Sequence, residues 1–321
     1  FTLLVRLDSM NTMLIKETKI HFLEMIELVK INGVLTALIT PFTSNDLIDE
    51  DGLAFLIERQ IKAGINGICV TAGSGEFVNL SADERHHVVE LSVKAAKGRI
   101  PIIAGVFAAN TQDALYTAKR AASAGADALL LLTPYYNRPS NEGLKLYYKT
   151  VAESVDIPTI VYNNPGRTGI DASNIYEMFS DIQNIIGVKE CNRDMGVFSM
   201  TVANMGKKWN SILSGDEDIF LPTLCLGGKG SILTTSNVAP QKWVTLYQAF
   251  LAEDYETAKS IHYEMLPLIF ALYTLNHPAL VKKCLSLMGL PAGLTRSPLI
   301  QPTEKQVERI SELIEKMKLV D

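Results

Sequence analysis

Short apolar segments alternate with amphipathic segments eight times along the chain, and this alternation constrains the fold more than any other feature. The apolar segments have the length of buried strands, and they lie at residues 34–39, 67–71, 100–105, 128–133, 159–162, 185–189, 211–214 and 231–234. Eight strand–helix units in about 200 residues have the count and spacing of a (β/α)₈ barrel. A doubly wound open sheet is the alternative. It is disfavoured because no Gly-x-Gly-x-x-Gly sequence follows the first strand.

The segments between the strands carry helix start and stop signals. Ser81 and Glu84 have the spacing of a capping box, and Thr111 and Asn141 are candidate N-caps. Helix stops are expected at Gly64, Gly98 and Gly125. Residues 158–190 read as two strands that flank one helix.

Three regions follow from this pattern. Residues 1–31 are an N-terminal extension, expected as an amphipathic helix over 13–30 or as a loose tail. Their short apolar runs mixed with Lys and Glu predict neither a signal peptide nor a membrane span. Residues 32–252 form the barrel. Residues 253–321 are helical, and helices are predicted at 240–252, 255–272, 278–288 and 303–319.

The composition limits the kinds of molecule that the chain is expected to bind. The chain has 321 residues and a formal net charge of −5, and no basic cluster with interleaved aromatic residues occurs in it, so a nucleic-acid partner is not expected. The histidines have no metal-ligand spacing. The four cysteines are widely spaced, as in reduced thiols of a cytoplasmic protein: Cys69, Cys191, Cys225 and Cys284. The expected partners are small molecules and further copies of the chain, with no metal, cofactor or membrane.

Lys189 is the residue on which the functional prediction depends. It ends the apolar segment 185–188, so it is expected at the carboxyl end of a strand that is buried on both faces. Burial disfavours the ammonium form, and a lowered pKa would give an amine able to form a Schiff base with a carbonyl substrate. A lysine that extends its charged end to water is the structural alternative.

Further candidate residues lie at or just after the predicted strand ends, the edge where barrel enzymes carry their sites. These candidates are Thr40, the turn Gly73-Ser74-Gly75-Glu76, Tyr135, Tyr136, Tyr162, Arg167 and Ile232. A tyrosine can donate and accept protons, an arginine can bind a carboxylate, and turn N–H groups can bind an anion.

Several of these residues lie in longer motifs. GSGE at 73–76, TPYYNRP at 133–139, YNNPGRTG at 162–169, GVKE at 187–190 and LGGKGSILTTSNVAP at 226–240 closely resemble the dihydrodipicolinate synthase and N-acetylneuraminate lyase family. The resemblance extends from about residue 33 to residue 321. It implies a (β/α)₈ barrel with a helical C-terminal part, typically tetrameric and cofactor-free, that condenses or cleaves pyruvate through a lysine Schiff base.

The resemblance also implies a role for each matching residue. Lys189 would form the imine, and Tyr162 would move protons at the imine carbon. Ser74 would bind the pyruvate carboxylate, and the carbonyl group of Ile232 would contact the bound pyruvate. Arg167, in the RTG sequence typical of the synthases, would bind the carboxylate of aspartate semialdehyde, which places the chain on the route to diaminopimelate and lysine.

One position departs from the synthase pattern. Tyr136 would extend from a neighbouring subunit, in a dimer or tetramer, and complete a Thr-Tyr-Tyr proton relay, but Gly73 stands where the relay threonine is expected. Either a water molecule replaces the hydroxyl, or the chain acts on other 2-oxo acids, as a 2-keto-3-deoxy-sugar-acid aldolase or dehydratase or an enzyme similar to N-acetylneuraminate lyase. A non-catalytic barrel that senses a 2-oxo acid is a third possibility.

A second departure concerns regulation. Residues of the lysine-binding cleft in regulated synthases are replaced here by Ala82, Arg85 and Ala109, although Asp113 and Tyr135 keep some polarity. We expect weak or absent inhibition by lysine.

Overall fold

Eight parallel strands pair in chain order, and the eighth pairs with the first, so the sheet closes into a barrel. The computed structural model describes residues 31–275 and 277–319. Its strands are β1 (Gly33–Ala37), β2 (Gly67–Val70), β3 (Ile102–Val106), β4 (Ala128–Leu132), β5 (Thr159–Asn163), β6 (Ile185–Glu190), β7 (Ser211–Ser214) and β8 (Gly230–Leu233). Every predicted strand is present, which confirms the (β/α)₈ prediction.

Helices connect the strands and continue after the last one. They are α1 (Glu50–Lys62), α2 (Ala82–Ala96), α3 (Thr111–Ser123), α4 (Asn141–Ala152), α5 (Pro165–Thr168), α6 (Met195–Met205), α7 (Phe220–Cys225), α8 (Pro240–Leu251), α9 (Tyr255–Leu272), α10 (Ala279–Leu287) and α11 (Glu304–Lys316). Short 3₁₀ helices lie at Phe77–Asn79, Ser173–Phe179, Glu217–Ile219 and Thr235–Asn237. Within these described helices, none has the length and apolarity that a membrane crossing requires.

The helix N-termini agree with the sequence to within one residue. The capping box of Ser81 and Glu84 is present at α2. The N-caps of α3 and α4 are Asn110 and Ser140, so the predictions of Thr111 and Asn141 are each one residue late. Both sites offer two cap-forming residues in succession, and the side chain that accepts from the third helical N–H is the earlier one.

The connection between β5 and β6 is not the single helix that the sequence predicted. It consists of the one-turn helix α5 and the 3₁₀ helix Ser173–Phe179. Gly169 ends α5 with φ +69°, a left-handed conformation that stops a helix and that glycine adopts readily.

Two apolar layers hold the barrel. The interior is filled by alternate strand residues such as Leu35, Ile103, Leu130 and Ile160, and the opposite strand faces pack against the surrounding helices. At the seam, Gly33 pairs with Gly230, and a Cβ atom on Gly230 would lie 2.1 Å from the carbonyl oxygen of Gly33. The close approach of β1 and β8 therefore requires glycine there.

The helical C-terminal region that the sequence predicted is present as α9, α10 and α11. Its buried face packs on α8, and the loop between α9 and α10 passes over the carboxyl ends of the strands. The predicted helix or tail at residues 1–31 lies outside the described residues except for Ile31, which is buried.

Candidate active site

Lys189 and Tyr162 lie side by side at the carboxyl ends of β6 and β5. The two residues are register partners in the parallel ladder, so their side chains point to the same side of the sheet. The Nζ atom of Lys189 is 4.5 Å from the centre of the Tyr162 ring. Lys189 is only 6% exposed, which confirms the predicted burial and excludes a lysine whose charged end reaches water.

Both side chains line a cavity of about 490 Å³ at this end of the barrel. Of the residues predicted from sequence, the cavity also brings together Gly73, Ser74, Glu76, Tyr135 and Arg167. Ser74 is buried, whereas Arg167 is exposed at the mouth. The cavity therefore has an inner hydroxyl group and an outer guanidinium group, both suited to carboxylate groups.

Four predicted site residues do not line this cavity: Thr40, Gly75, Tyr136 and Ile232. Thr40 is buried, and its hydroxyl donates to the carbonyl oxygen of Gly75 at 2.8 Å, so it holds the turn at 73–76 instead of contacting a ligand. The Ile232 side chain lies in the barrel interior, and the predicted role of its carbonyl group stays a prediction. Tyr136 is 93% exposed and has φ +76°, so it points away from its own cavity; its proposed use by a neighbouring subunit also stays a prediction.

Seven further polar residues line the cavity that the strand-end analysis did not select: Asn164, Thr168, Cys191, Asp216, Thr234, Tyr273 and His277. Asn164 donates to the Tyr162 hydroxyl at 3.0 Å and so fixes the phenol. Tyr273 and His277 belong to the loop after α9, which a search limited to strand ends leaves out. In the sequence, their one signal is that a tyrosine and a histidine lie in the short break between two predicted helices.

Tyr162 and Cys191 are neutral near pH 7. Burial raises the pKa of the Tyr162 phenol to about 12, and burial raises the pKa of the Cys191 thiol to about 12. Tyr162 can therefore serve as a proton donor at neutral pH.

The prediction that Lys189 has a lowered pKa is wrong. Burial lowers the pKa, but interactions with Tyr162, Cys191, Cys69 and Asp216 oppose it, and the net pKa is raised. The sequence revealed the burial but not these neighbours. Because the phenol and the thiols are neutral near pH 7, Asp216 is the member of this group that can carry a negative charge there. Lys189 must therefore give up a proton before its nitrogen can attack a carbonyl carbon.

His277 is also neutral. Burial and the nearby positive charges of Arg167 and Lys189 lower the pKa of its imidazole to about 3. It lies beside Ser74, with 2.9 Å between His277 Nε2 and Ser74 Oγ.

A closed (β/α)₈ barrel with a polar cavity at the carboxyl ends of its strands defines the class of (β/α)₈-barrel enzymes. The chain belongs to the dihydrodipicolinate synthetase family, whose model matches residues 30–317. The resemblance in the motifs is thereby confirmed.

Individual relatives agree with this assignment. The chain is 38% identical to 4-hydroxy-tetrahydrodipicolinate synthase of Methanosarcina barkeri over 290 residues, which is 90% of this chain and 99% of the relative. A structure of dihydrodipicolinate synthase from Acinetobacter baumannii complexed with pyruvate has a TM-score of 0.87 at 34% identity and covers 90% of this chain and 100% of that one. A structure described as a monomeric dihydrodipicolinate synthase variant has a TM-score of 0.88 at 33% identity, covering 92% of this chain and 99% of that one. The chain is an enzyme of the 4-hydroxy-tetrahydrodipicolinate synthase type.

Proposed function

We propose that this enzyme condenses pyruvate with aspartate semialdehyde to give 4-hydroxy-tetrahydrodipicolinate, at the entry to diaminopimelate and lysine synthesis. The observation that carries the proposal is the buried pair of Lys189 and Tyr162, which shares one cavity with a buried Ser74 and an exposed Arg167. This arrangement supplies a nucleophile, a proton donor and two carboxylate contacts.

Lys189 forms the covalent bond to pyruvate. Its deprotonated Nζ adds to the keto carbon, and the keto oxygen takes one proton from this nitrogen and one from the Tyr162 phenol and leaves as water, which gives the protonated imine and the phenolate. The phenolate then takes a methyl proton and gives the enamine, whose carbon attacks the aldehyde carbon of the second substrate and forms the new carbon–carbon bond. The aldehyde oxygen takes the phenol proton and becomes a hydroxyl group, and the amino group of the second substrate displaces Nζ from the former keto carbon, which closes the ring and frees Lys189. The imine acts as the electron sink.

The two carboxylate contacts are assigned by depth. Ser74 is buried close to the lysine, so it binds the carboxylate of pyruvate, the smaller substrate that must reach Nζ. Arg167 is exposed at the mouth, so it binds the carboxylate of the aldehyde that enters second.

The enzyme is proposed to be a cytoplasmic homo-oligomer in which Tyr136 enters the cavity of a neighbouring subunit. Tyr136 combines near-complete exposure with a left-handed backbone, an uncommon conformation that is often kept for function. The four free cysteines suit a reducing compartment. Sedimentation of the wild type should give a dimer or tetramer, and a monomer at assay concentration would contradict the shared site.

Gly73 is the observation that favours the alternative partner, a sugar-derived aldehyde. A Cβ atom built on Gly73 would meet nothing within 4 Å, so the position of the missing hydroxyl group opens into free space. That space can hold a relay water or part of a larger substrate. Arg167 favours the semialdehyde, because a neutral sugar aldehyde gives it no carboxylate to bind.

Two experiments test the proposal. Borohydride reduction with pyruvate should attach the three-carbon unit to Lys189, and a mass spectrum of native protein without this adduct would overturn the Schiff-base mechanism. Steady-state assays of pyruvate with aspartate semialdehyde, beside a panel of 2-keto-3-deoxy-sugar acids, should give the higher kcat/KM for the semialdehyde reaction. A higher value for a sugar acid would establish the alternative.

A further inference from the structure

Three side chains from distant parts of the chain meet in the wall of the cavity. Ser74 Oγ lies 2.9 Å from Thr234 Oγ1 and 2.9 Å from His277 Nε2. We call Ser74, Thr234 and His277 the serine cluster. Ser74 comes from the turn after β2, Thr234 follows β8, and His277 comes from the loop before α10.

The serine cluster has few hydrogen-bond donors, and the direction in which one of them donates limits the directions open to the others. A serine hydroxyl has one hydrogen to donate and two lone pairs that accept, whereas a carboxylate only accepts. Ser74 can donate to a bound carboxylate only if its hydrogen is not used by a neighbour. Both neighbours must therefore donate to Ser74, which requires the Thr234 hydroxyl hydrogen and a hydrogen on Nε2 of His277.

The histidine can meet this requirement in one form. Because burial and the charges of Arg167 and Lys189 keep its ring neutral, the ring carries one hydrogen, on Nδ1 or on Nε2. In the Nδ1–H form, Nε2 would accept the serine hydrogen and turn it away from the ligand. In the Nε2–H form, the ring donates and leaves the serine hydrogen for the carboxylate.

The buried carboxylate of Glu217 holds Thr234 directly and holds Tyr273, whose ring in turn stacks on His277. Glu217 Oε1 accepts from the backbone N–H groups of Thr234 and Thr235 at 2.7 and 3.0 Å. The Tyr273 hydroxyl donates to the same carboxylate at 2.9 Å, to Oε2. The Tyr273 ring stacks on His277 with an interplanar angle of 8° and centres 5.4 Å apart. The imidazole plane is thus fixed relative to Thr234, as an oriented donor requires.

From this geometry we infer that His277 is a positioning residue for pyruvate: it donates from Nε2 to Ser74 and thereby directs the serine hydroxyl hydrogen onto the substrate carboxylate. The inference rests on the proposed function, since it assumes that Ser74 binds the pyruvate carboxylate. It adds a residue of the C-terminal region to substrate recognition.

The test compares two substitutions of similar length. Gln in His277→Gln keeps an N–H donor near the Nε2 position, whereas Met in His277→Met keeps the length but has no donor. We expect His277→Met to raise the KM for pyruvate about tenfold, with kcat and the KM for aspartate semialdehyde within about twofold of wild type. His277→Gln should restore most of the pyruvate KM. Equal pyruvate KM values for the two variants would overturn the inference.

A double-mutant cycle separates action through Ser74 from a general loss of packing. In a Ser74→Ala background the same Met substitution should change the pyruvate KM by less than about twofold, because the hydroxyl group that it orients is gone. Methyl pyruvate, which lacks the carboxylate charge, should likewise trap on Lys189 equally well in wild type and His277→Met. A full tenfold effect in either experiment would contradict the positioning role.

The tautomer can be measured without any substitution at the site. Nitrogen-15 NMR of the wild-type protein, with the His277 signals assigned by their loss in His277→Gln, should show the hydrogen on Nε2. Hydrogen on Nδ1 would overturn the inference. This result does not depend on the Met variant, so the test holds even if that variant fails to fold. Borohydride trapping of pyruvate by wild type is the separate control: its failure would refute the Schiff-base proposal itself, whereas trapping with the wrong tautomer would refute only the role of His277.

Discussion

Replacing Lys282 by methionine should destabilise the enzyme more than any exposed lysine substitution, because it leaves a buried carboxylate unpaired. Lys282 on α10 and Glu76, the last residue of the turn that carries Ser74, form an ion pair with 2.6 Å between Nζ and Oε1. Their side chains are 2% and 0% exposed. The other carboxylate oxygen of Glu76 accepts from the backbone N–H of Arg296 at 3.0 Å, so the carboxylate is held in place without the lysine.

The magnitude follows from this burial. Removing one partner of a buried ion pair typically costs about 3–5 kcal/mol, because the remaining charge is desolvated without compensation. Lys282→Met should therefore lower the free energy of unfolding at pH 7 by about this amount. The double variant Lys282→Met/Glu76→Gln carries no buried charge at either position and should recover most of the loss.

The pH dependence provides a second measure of the same pair. Burial lowers the pKa of Lys282 to about 8 from 10.5, although Glu76 opposes the shift. Between these two pH values the unfolded chain binds more protons than the folded one, so this lysine makes wild-type stability rise with pH across the window, by about 3 kcal/mol in total. Lys282→Met lacks this contribution, and the stability difference between wild type and variant should widen from pH 8 to pH 10.5.

Urea unfolding at a fixed protein concentration measures all of these quantities, and Lys283→Met is the matched control. Lys283 is the adjacent residue on α10 and lies outside the pair, so its replacement should change the unfolding free energy by about 1 kcal/mol or less. The reasoning is refuted if Lys282→Met stays within about 1 kcal/mol of wild type at pH 7. It is also refuted if the double variant is no more stable than the single one.

Four further predictions concern catalysis and regulation. Tyr162→Phe keeps the ring beside Lys189 but loses the proton donor, so kcat should fall about 10²- to 10⁴-fold in steady-state assays. Borohydride should still trap pyruvate on Lys189 at saturating pyruvate. An unchanged kcat would exclude the phenol from proton transfer. Gly73→Thr should raise kcat for the semialdehyde reaction above that of the Gly73→Ala control, because the added side chain enters free space and restores the relay hydroxyl; equal kcat values would show that no relay group is needed there. Arg167→Ala should raise the KM for aspartate semialdehyde by about 10- to 100-fold and leave the KM for pyruvate unchanged. Equal effects on the two KM values would disprove the assignment of Arg167 to the carboxylate of the second substrate. Lysine should inhibit weakly or not at all in the same assay, and sub-millimolar inhibition would contradict the prediction made from Ala82, Arg85 and Ala109.

The sequence predicted the barrel because a strand buried on both faces must be an apolar run, and eight such runs leave little choice of topology. It also identified Lys189 and Tyr162, since their position at strand ends follows from the chain order alone. It failed at the connection after β5, where Gly169 interrupts a segment that otherwise has helical periodicity. Local sequence signals a glycine there but not whether the helix resumes beyond it.

Two kinds of information were not accessible from the sequence. Burial lowers the pKa of Lys189, whereas Tyr162, Cys191, Cys69 and Asp216 raise it, and the joint proximity of these four groups is a property of the folded barrel. The contact of His277 with Ser74 joins residues 203 positions apart, and no periodic pattern encodes a contact at that separation. Thr40 was selected because it follows a strand, but its side chain turns to the backbone of the neighbouring loop.

Because Tyr273 and His277 form part of the cavity wall, the pocket is not a property of the barrel's loops alone. Grafting the strand ends and βα loops onto another eight-stranded scaffold would transfer the phenol of β5 and the amine of β6, yet leave behind the imidazole and the second phenol that line the same cavity. The smallest transplantable unit of this chemistry is the barrel mouth together with its helical cap.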